Sequence, residues 1–472
     1  MTVWRIRSNP RNESVCSGVH DVFYPMSNVS EAPPPSEKKP HATEAGNYFV
    51  SNYPPFSFWK PDQVPALEKV LAKPAPKDIP LGVYFHIPFC RKRCHFCYFK
   101  VYTDKNASEI RAYINAGMKE MAQFAARPYL AGRKANFVYF GGGTPSYLSA
   151  PQLRELTDRM KDLIPWDEAE EVAFEAEPGT LNEMKLQCIR DIGVTRLSLG
   201  VEHFDDYILE SNGRAHRSGE VDRAFKFART LGFEHINIDL IAGMMNDTEE
   251  LWKAAVAKAV ELGPDAVTIY QMEVPYNTGI YQQMKAEGKV TAPVADWETK
   301  RAWVNYCFEE FVKAGYTVTS AYTVVKDPSR IKFIYRDRLW EGADLLSCGV
   351  ASFGHLGGFH YQNQADVGPY MQSIDAGQSV IYRAYETTHD DRFVREFILK
   401  LKLGSVRASY YIEKFGEDPI KRFAPQLAYM QQEGFGSVKG DAIELTREGL
   451  LQVDKLLHEF FLPQHRQYAR YT

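Results

Sequence analysis

The sequence predicts an α/β fold: an open, partial (β/α)6 barrel followed by a small, mostly helical C-terminal domain. Three observations predict it. Between residues 82 and 271 six short apolar stretches alternate with longer amphipathic ones, and parallel strands need about a helix's length of chain to cross from one to the next. Chemically capable residues fall just after these stretches, where the C-terminal strand ends of such a sheet form a shared rim. Beyond residue 388 helical patterns take over and enclose a polar hairpin.

Residues 1 to 44 mix Ser, Pro, Asn and charge, with Pro33-Pro34-Pro35 and Glu37-Lys38-Lys39-Pro40. That composition buries too little apolar surface to offset ordering, so the segment is expected to be disordered or an over-extended start. Residues 45 to 80 form an aromatic lead-in, Tyr48-Phe49 and Tyr53 to Trp59, expected to pack on the folded body. The core spans 81 to 320. Its strands are Gly82 to Ile87, Phe137 to Phe140, Glu171 to Ala176, Thr195 to Val201, His235 to Ile241 and Ala266 to Gln271. Helices are expected near 107 to 126, 151 to 163, 181 to 190, 219 to 231 and 248 to 262. Thr180 with Glu183 three residues on reads as a capping box for the third of these. Six units suit an open barrel better than a closed eight-stranded one.

Trp303 to Ala314 reads as helix and Thr317 to Val324 as extended chain. An extension over 321 to 387 carries the glycine-rich run Ser347 to Gly358, expected to form a strand and tight turn. In the last domain, 388 to 472, helices near 391 to 402, 407 to 414 and 417 to 433 precede a hairpin at Gly436 to Leu445 and a final helix from Thr446. This order resembles a winged helix. With no basic surplus there, a lid or packing role is the better expectation.

The bulk properties exclude several functions. Across 472 residues the formal net charge is -4 at pH 7, so no global basic field points to nucleic acid. No apolar run approaches the roughly 18 residues of a membrane helix. Arg5, Arg7 and Arg11 precede no apolar core of a signal peptide. Seven cysteines, an odd and small number, fit a reducing cytoplasm better than a disulfide framework.

The chemistry concentrates after the first strand. Cys90, Cys94 and Cys97 follow Tyr84-Phe85-His86-Ile87-Pro88-Phe89. Thiols at offsets of four and three can hold three irons of a cubane cluster and leave the fourth iron open. Such clusters normally take four cysteines, so three mark either a catalytic cluster or a different metal site. Zinc in a closed site wants four ligands. Cys16, Cys188, Cys307 and Cys348 are single and far apart, but His86 or His95 could complete the set. Gly141-Gly142-Gly143-Thr144, after the second strand, could offer amide N–H groups to an anionic ligand. Glu175 is placed to accept hydrogen bonds from ribose hydroxyls, and Arg214 to pair with a carboxylate bidentately. His355 and His360 read as structural.

C-x-x-x-C-x-x-C, Gly-Gly-Gly-Thr-Pro, Glu-Ala-Glu-Pro, Gly-Val-Glu-x-Phe-Asp, Gly-Arg-Ala-His and Asn-Ile-Asp-Leu-Ile occur in that order between Tyr84 and Asn363. The set resembles the radical S-adenosylmethionine (SAM) superfamily and, within it, the oxygen-independent coproporphyrinogen III oxidase-like branch. The resemblance implies a TIM-like radical SAM barrel in which Cys90, Cys94 and Cys97 hold a 4Fe-4S cluster whose open iron chelates SAM. Tyr84, Phe96, Gly142, Glu175 and Phe353 would line that SAM. A second SAM would lie against Gly143, Thr144, Glu202, Arg214, Asp239 and Met272. Reductive cleavage of SAM to a 5'-deoxyadenosyl radical, followed by hydrogen abstraction, is the implied chemistry. The implied substrate is a small molecule such as a tetrapyrrole and the implied electron donor a flavodoxin- or ferredoxin-type protein, with no nucleic acid or membrane partner.

Three departures bear on substrate. Phe99 stands where the authentic oxidases have a further cysteine. Glu202 replaces the glutamine of Gly-Val-Gln. Gly243-Met244-Met245-Asn246-Asp247-Thr248 replaces Gly-Leu-Pro-Gly-Gln-Thr. The expected activity is oxidative decarboxylation of porphyrinogen propionates in porphyrin biosynthesis. A methyltransferase or cyclopropanase using the second SAM as carbon donor, and a haem-binding chaperone, are the alternatives.

Overall fold

The computed structural model describes residues 42–46 and 48–466. The segment expected to be disordered lies outside the described residues up to 41. Within it Thr43 is placed and buried, its hydroxyl donating to the Ala295 carbonyl.

All six predicted strands form: β1 (Leu81–Ile87), β2 (Phe137–Gly142), β3 (Glu171–Ala176), β4 (Arg196–Glu202), β5 (His235–Ala242) and β6 (Ala266–Gln271). They lie side by side in chain order, each parallel to the next. The period of two decides what each strand faces. Leu81, Val83, Phe85 and Ile87 of β1 join one apolar core with Ile110, Ile114 and Met121 of helix Ala107–Ala125. The alternate residues meet one another on the other face. Tyr84 bonds His86, Tyr139 bonds Glu175, and Asn237 bonds Ser198 and Thr268.

Both edges of this parallel block are extended. β7 (Thr317–Ser320) and β8 (Thr323–Val325) add antiparallel beyond β6. β9 (Asp344–Cys348) pairs parallel with β1, and β10 (Phe353–Leu356), β11 (Phe359–Asn363) and β12 (Ile381–Glu386) complete a twelve-stranded sheet. β9 makes a seventh parallel strand, one more than the six predicted. Helix Ile334–Trp340, also unpredicted, packs at β2 and β3. The Glu171 carboxylate accepts N–H bonds from Ile334 and Tyr335 while gripping Arg196, and the Tyr335 ring lies 4.4 Å from Tyr139.

One predicted cap is misplaced. The helix after β3 runs Glu183–Asp191 and its cap is Asn182, whose side chain accepts from the Lys185 N–H. Thr180 instead closes the 3-10 turn Pro178–Thr180, where its hydroxyl donates to the Glu177 carbonyl.

The C-terminal region carries helices His389–Leu401, Ala408–Phe415, Pro419–Arg422 and Ala424–Gln432. The single helix expected over 417 to 433 breaks at Phe423, just before Pro425 enters the first turn of the next helix. The predicted hairpin, β14 (Gly436–Lys439) and β15 (Ala442–Leu445), gains a third strand, β13 (Ser405–Arg407). The final helix from Thr446 is interrupted at Gln452. The aromatic lead-in packs here: Val50, Tyr53, Phe56 and Trp59 share an apolar core with Phe393, Phe397 and Phe461. No described helix is long and apolar enough to cross a membrane.

Candidate active site

The chain leaving β1 is pinned before it can wander. Cys90 and Tyr102 close a loop through Cys90 N–H to the Tyr102 carbonyl (3.1 Å) and Tyr102 N–H to the Pro88 carbonyl (2.8 Å). At its tip the His95 N–H donates to the Asn212 carbonyl and the His95 carbonyl accepts from Ile280. Backbone bonds from two distant segments therefore fix the turn that holds Cys94 and Cys97. Cys90 is buried and the other two are half-buried. Burial pushes the Cys90 thiol up to about 11 and the Cys97 thiol up to about 12, so a metal taking them as thiolates must displace protons.

Among the described residues, His389, Asp390 and Glu417 are the one set of three His, Cys, Asp or Glu ligand atoms within 4.8 Å of one another. That trio, with Glu417 half-buried, is occupied internally, since Arg422 pairs with both of its carboxylates. Cys90, Cys94 and Cys97 do not form such a set, so at least one pair of their sulfurs is more than 4.8 Å apart, whereas the bonds of about 2.3 Å in a tetrahedral zinc site bring sulfurs within about 4 Å of each other. The histidines weighed as a fourth zinc ligand each use one ring nitrogen within the fold, and His86 Nε2 is buried with no partner. His95 Nδ1 bonds the Ser211 carbonyl, and His86 Nδ1 bonds the Tyr84 hydroxyl.

Two polar side chains reach the sulfurs. The Thr144 hydroxyl donates to Cys90 Sγ and Arg214 Nη1 donates to Cys94 Sγ, both at 3.3 Å. The glycine run allows close approach. A Cβ on Gly143 would stand 3.0 Å from Cys90 Sγ and from the Phe89 carbonyl oxygen, and one on Gly142 would stand 2.7 Å from the His86 ring. Gly142 also takes φ +120°, a backbone that suits glycine. The amide cradle expected here is corrected in part. Gly142 N–H donates to Glu175 Oε2 (3.0 Å) and Gly143 N–H to the Ile87 carbonyl (2.8 Å), so both are spent within the fold.

The sheet face beside the thiols carries three carboxyl groups. Glu175 accepts from Tyr139 (2.6 Å) and from Gly142, and burial raises it. Glu202 stands 3.6 Å from Arg214 Nη2; burial raises it and Arg214 opposes the rise. Asp239 accepts from Asn237 (2.9 Å) and is pushed up to about 8 by burial and by Glu202. Tyr98 and Tyr270 interact electrostatically with Glu175 and keep 41% and 39% of their surface open.

Direct contacts thus join Cys90 to Thr144, Gly142 to Glu175, and Cys94 to Arg214 and Glu202, and Tyr84 and Asp239 share their face. Arg214 points at Cys94 Sγ, the Gly200 carbonyl and Glu202, occupied where a ligand carboxylate was expected. Phe96 and Met272 meet in an apolar cluster with Ile208, Met244 and Ile280. Phe353 lies apart, stacked on Phe56 of the lead-in at 4.3 Å. Sequence reasoning missed Tyr98, Tyr139, Tyr270 and the Arg91–Glu177 pair. The period-two pattern holds a signal for Tyr139 and Tyr270, which are in phase with Gly141 and Thr268.

The Radical SAM superfamily model matches residues 84–271. The heme chaperone HemW of Bacillus subtilis is 29% identical over 395 residues, 80% of this chain and 98% of that protein. The oxygen-independent coproporphyrinogen III oxidase of Escherichia coli is 25% identical over 394 residues, 79% of this chain and 84% of that one. The solved structure of coproporphyrinogen III oxidase (HemN) from Escherichia coli, a radical SAM enzyme, superposes with a TM-score of 0.76 at 23% identity, covering 89% of this chain and 99% of that one. The fold is therefore shared over almost its whole length. The heme chaperone HemW of Lactococcus lactis is 30% identical over 297 residues, 62% of this chain and 74% of that protein. With the family match, this shows that the chain belongs to the radical SAM superfamily, in its HemN-like branch, whose cofactors are a 4Fe-4S cluster and SAM.

Proposed function

We propose that this protein is a radical SAM oxidoreductase of the coproporphyrinogen III oxidase type, removing hydrogen and carbon dioxide from porphyrinogen propionates. One observation carries the reading: Cys90, with Thr144 on its sulfur, and Cys94, with Arg214 on its sulfur, stand beside a sheet face that carries Glu175, Glu202 and Asp239. Cys90, Cys94 and Cys97 hold the cluster. Bound together, the cluster and SAM supply one-electron cleavage of a sulfonium and abstraction of a substrate hydrogen atom.

The remaining work belongs to side chains. Thr144 and Arg214 donate to ligand sulfurs, which favours thiolate over thiol. Glu175, fixed by Tyr139 and Gly142, presents oxygen lone pairs to ribose hydroxyls. Tyr84, Phe96 and Gly142 line the same SAM, and the Gly142 backbone lets it come close. Gly143, Thr144, Glu202, Arg214, Asp239 and Met272 border the space for a second. A flavodoxin- or ferredoxin-type protein supplies the electron.

Haem binding without oxidation is the second reading. The match spanning 98% of a heme chaperone favours it, as does Phe99, where a further thiol would mark the oxidases. Anaerobic incubation with SAM and coproporphyrinogen III, followed by mass analysis, separates the readings. Vinyl products with deoxyadenosine support the oxidase. Haem retention without deoxyadenosine supports the chaperone, and S-adenosylhomocysteine beside deoxyadenosine moves the assignment to carbon transfer.

A further inference from the structure

We infer that Arg214 is a positioning residue that sets the reduction potential of the cluster through Cys94, and that Glu202 is its built-in counter-charge. The inference rests on the reading of Cys94 as a cluster ligand. Arg214 lies 120 residues beyond Cys94 in sequence, and only the fold brings its guanidinium to that sulfur at 3.3 Å.

The arginine is held from more than one side. Nη2 donates to the Gly200 carbonyl at 2.5 Å and lies 3.4 Å from His216 Nδ1, whose ring is fixed in turn on the Val201 carbonyl. Nε is buried with no partner, so the fork spends its other donors on the sulfur and the backbone. Arg214 and Glu202 keep only 11% and 12% of their side-chain surface, and charges so withdrawn from water interact with little screening.

Glu202 is placed on the arginine at a cost in backbone strain. Its φ is +66°, uncommon for a residue with a Cβ. The β4 and β5 register slips between Gly200 and Glu202, so the carboxylate leaves the strand's ordinary alternation. Gly200 makes the room: a Cβ there would stand 3.0 Å from Glu202 Oε1 and 3.2 Å from Arg214 Nη2. Three neighbouring backbone features thus serve one ion pair.

The three sulfurs are treated unequally. Cys94 receives a charged donor and Cys90 a neutral hydroxyl, while Cys97 Sγ has only the Phe99 carbonyl, at 4.0 Å. Hydrogen bonds to sulfur and net local charge are what a protein uses to move an iron-sulfur potential. Reduction adds a negative charge, so a guanidinium on Cys94 favours the reduced state. A carboxylate 3.6 Å from that guanidinium opposes it. An amide at position 202, which the resemblance leads one to expect, would leave the arginine's charge uncompensated.

EPR-monitored potentiometry of the anaerobically reconstituted full chain, run without SAM, tests this. Glu202→Gln is expected to move the midpoint to more positive potential and Arg214→Gln to more negative. Each shift should change the reduced-to-oxidised ratio at fixed poise at least tenfold, about 59 mV for a one-electron couple. Arg214→Lys, which keeps the charge and loses the fork, should recover part of the shift. Midpoints within twofold of the parent in variants with parental iron content overturn the inference. Should Arg214→Gln fail to take up iron, Glu202→Gln decides alone by the same criterion, because it keeps the arginine. A parent chain with no reducible 4Fe-4S signal overturns the ligand reading itself, and this inference with it.

Discussion

Arg91, the residue after the first cysteine, grips Glu177 at the C-terminal end of β3 with Nη2 2.6 Å from Oε1 and Nε 3.2 Å from Oε2. The pair ties the cysteine loop to the third strand across 86 residues of sequence. Arg91 Nη2 also donates to the Ala215 carbonyl, beside Arg214, so one side chain links the loop to two walls of the site. Glu177 is nearly buried while Arg91 keeps 35% of its side-chain surface, which leaves the pair partly screened. Glu177→Ala should lower stability by about 1–2 kcal/mol in urea melts of the apo-protein. It should also speed tryptic cleavage within Arg91 to Arg93, whereas removing an unrelated surface pair such as Lys439–Glu444 should leave both unchanged.

Cys94→Ala should reduce iron in the reconstituted protein well below the roughly four atoms per chain expected of the parent, and abolish SAM cleavage. Cys188→Ala is the matched control. Cys188 is buried, and its thiol donates to the Ala150 carbonyl, away from the loop. It should keep parental iron, measured by ferrozine after removal of unbound metal. Equal iron in the two variants would refute the assignment of Cys94.

Two glycines separate crowding from backbone preference. Gly143→Ala places a methyl group 3.0 Å from Cys90 Sγ and from backbone that cannot move aside, so it should lower cluster content several-fold. Gly132→Ala meets nothing within 4 Å but must hold φ +72°. Its cost should be about 1–2 kcal/mol of stability with parental iron per chain. Parallel thermal melts and iron assays distinguish the two.

How much of this was legible in the sequence depends on the range of the forces involved. The six strands were readable because their alternation records two different environments, an apolar helix layer and a polar sheet face, within each short segment. The cysteines were readable because a metal centre imposes local spacing. β9 and helix Ile334–Trp340 were not. β9 is defined by pairing with a strand more than 250 residues earlier, and the helix N-terminus is fixed by Glu171, 163 residues away. Arg214 shows the same limit. Its residue type pointed to anion pairing, but the fold supplies both a sulfur and a carboxylate as partners, and no local pattern orders the two.

Asp239 yields a prediction about pH whose sign follows from its neighbours. Its carboxyl is pushed from 3.8 up to about 8, first by burial and then by Glu202, with the Asn237 amide and Arg196 opposing. In the unfolded chain the same group titrates near its ordinary value. Between the two values the folded protein therefore binds the extra proton, and stability falls as pH rises wherever the native state holds more protons than the unfolded one. The contribution of Asp239 is present in full below about pH 4 and is lost as pH climbs through about 8. Glu273, also raised to about 8, and Glu120, raised to about 7, act in the same direction, while Lys300, lowered to about 7, and His86, lowered to about 4, act in the opposite one, so the variant should retain a slope from these other sites. Asp239→Asn removes one titrating group and leaves a side chain of similar shape. Urea denaturation of the apo-protein at intervals from pH 5.5 to 8.5 should show the parent losing stability relative to the variant as pH rises, whatever net slope the other groups impose. An unchanged slope would mean that Asp239 is ionised across that range.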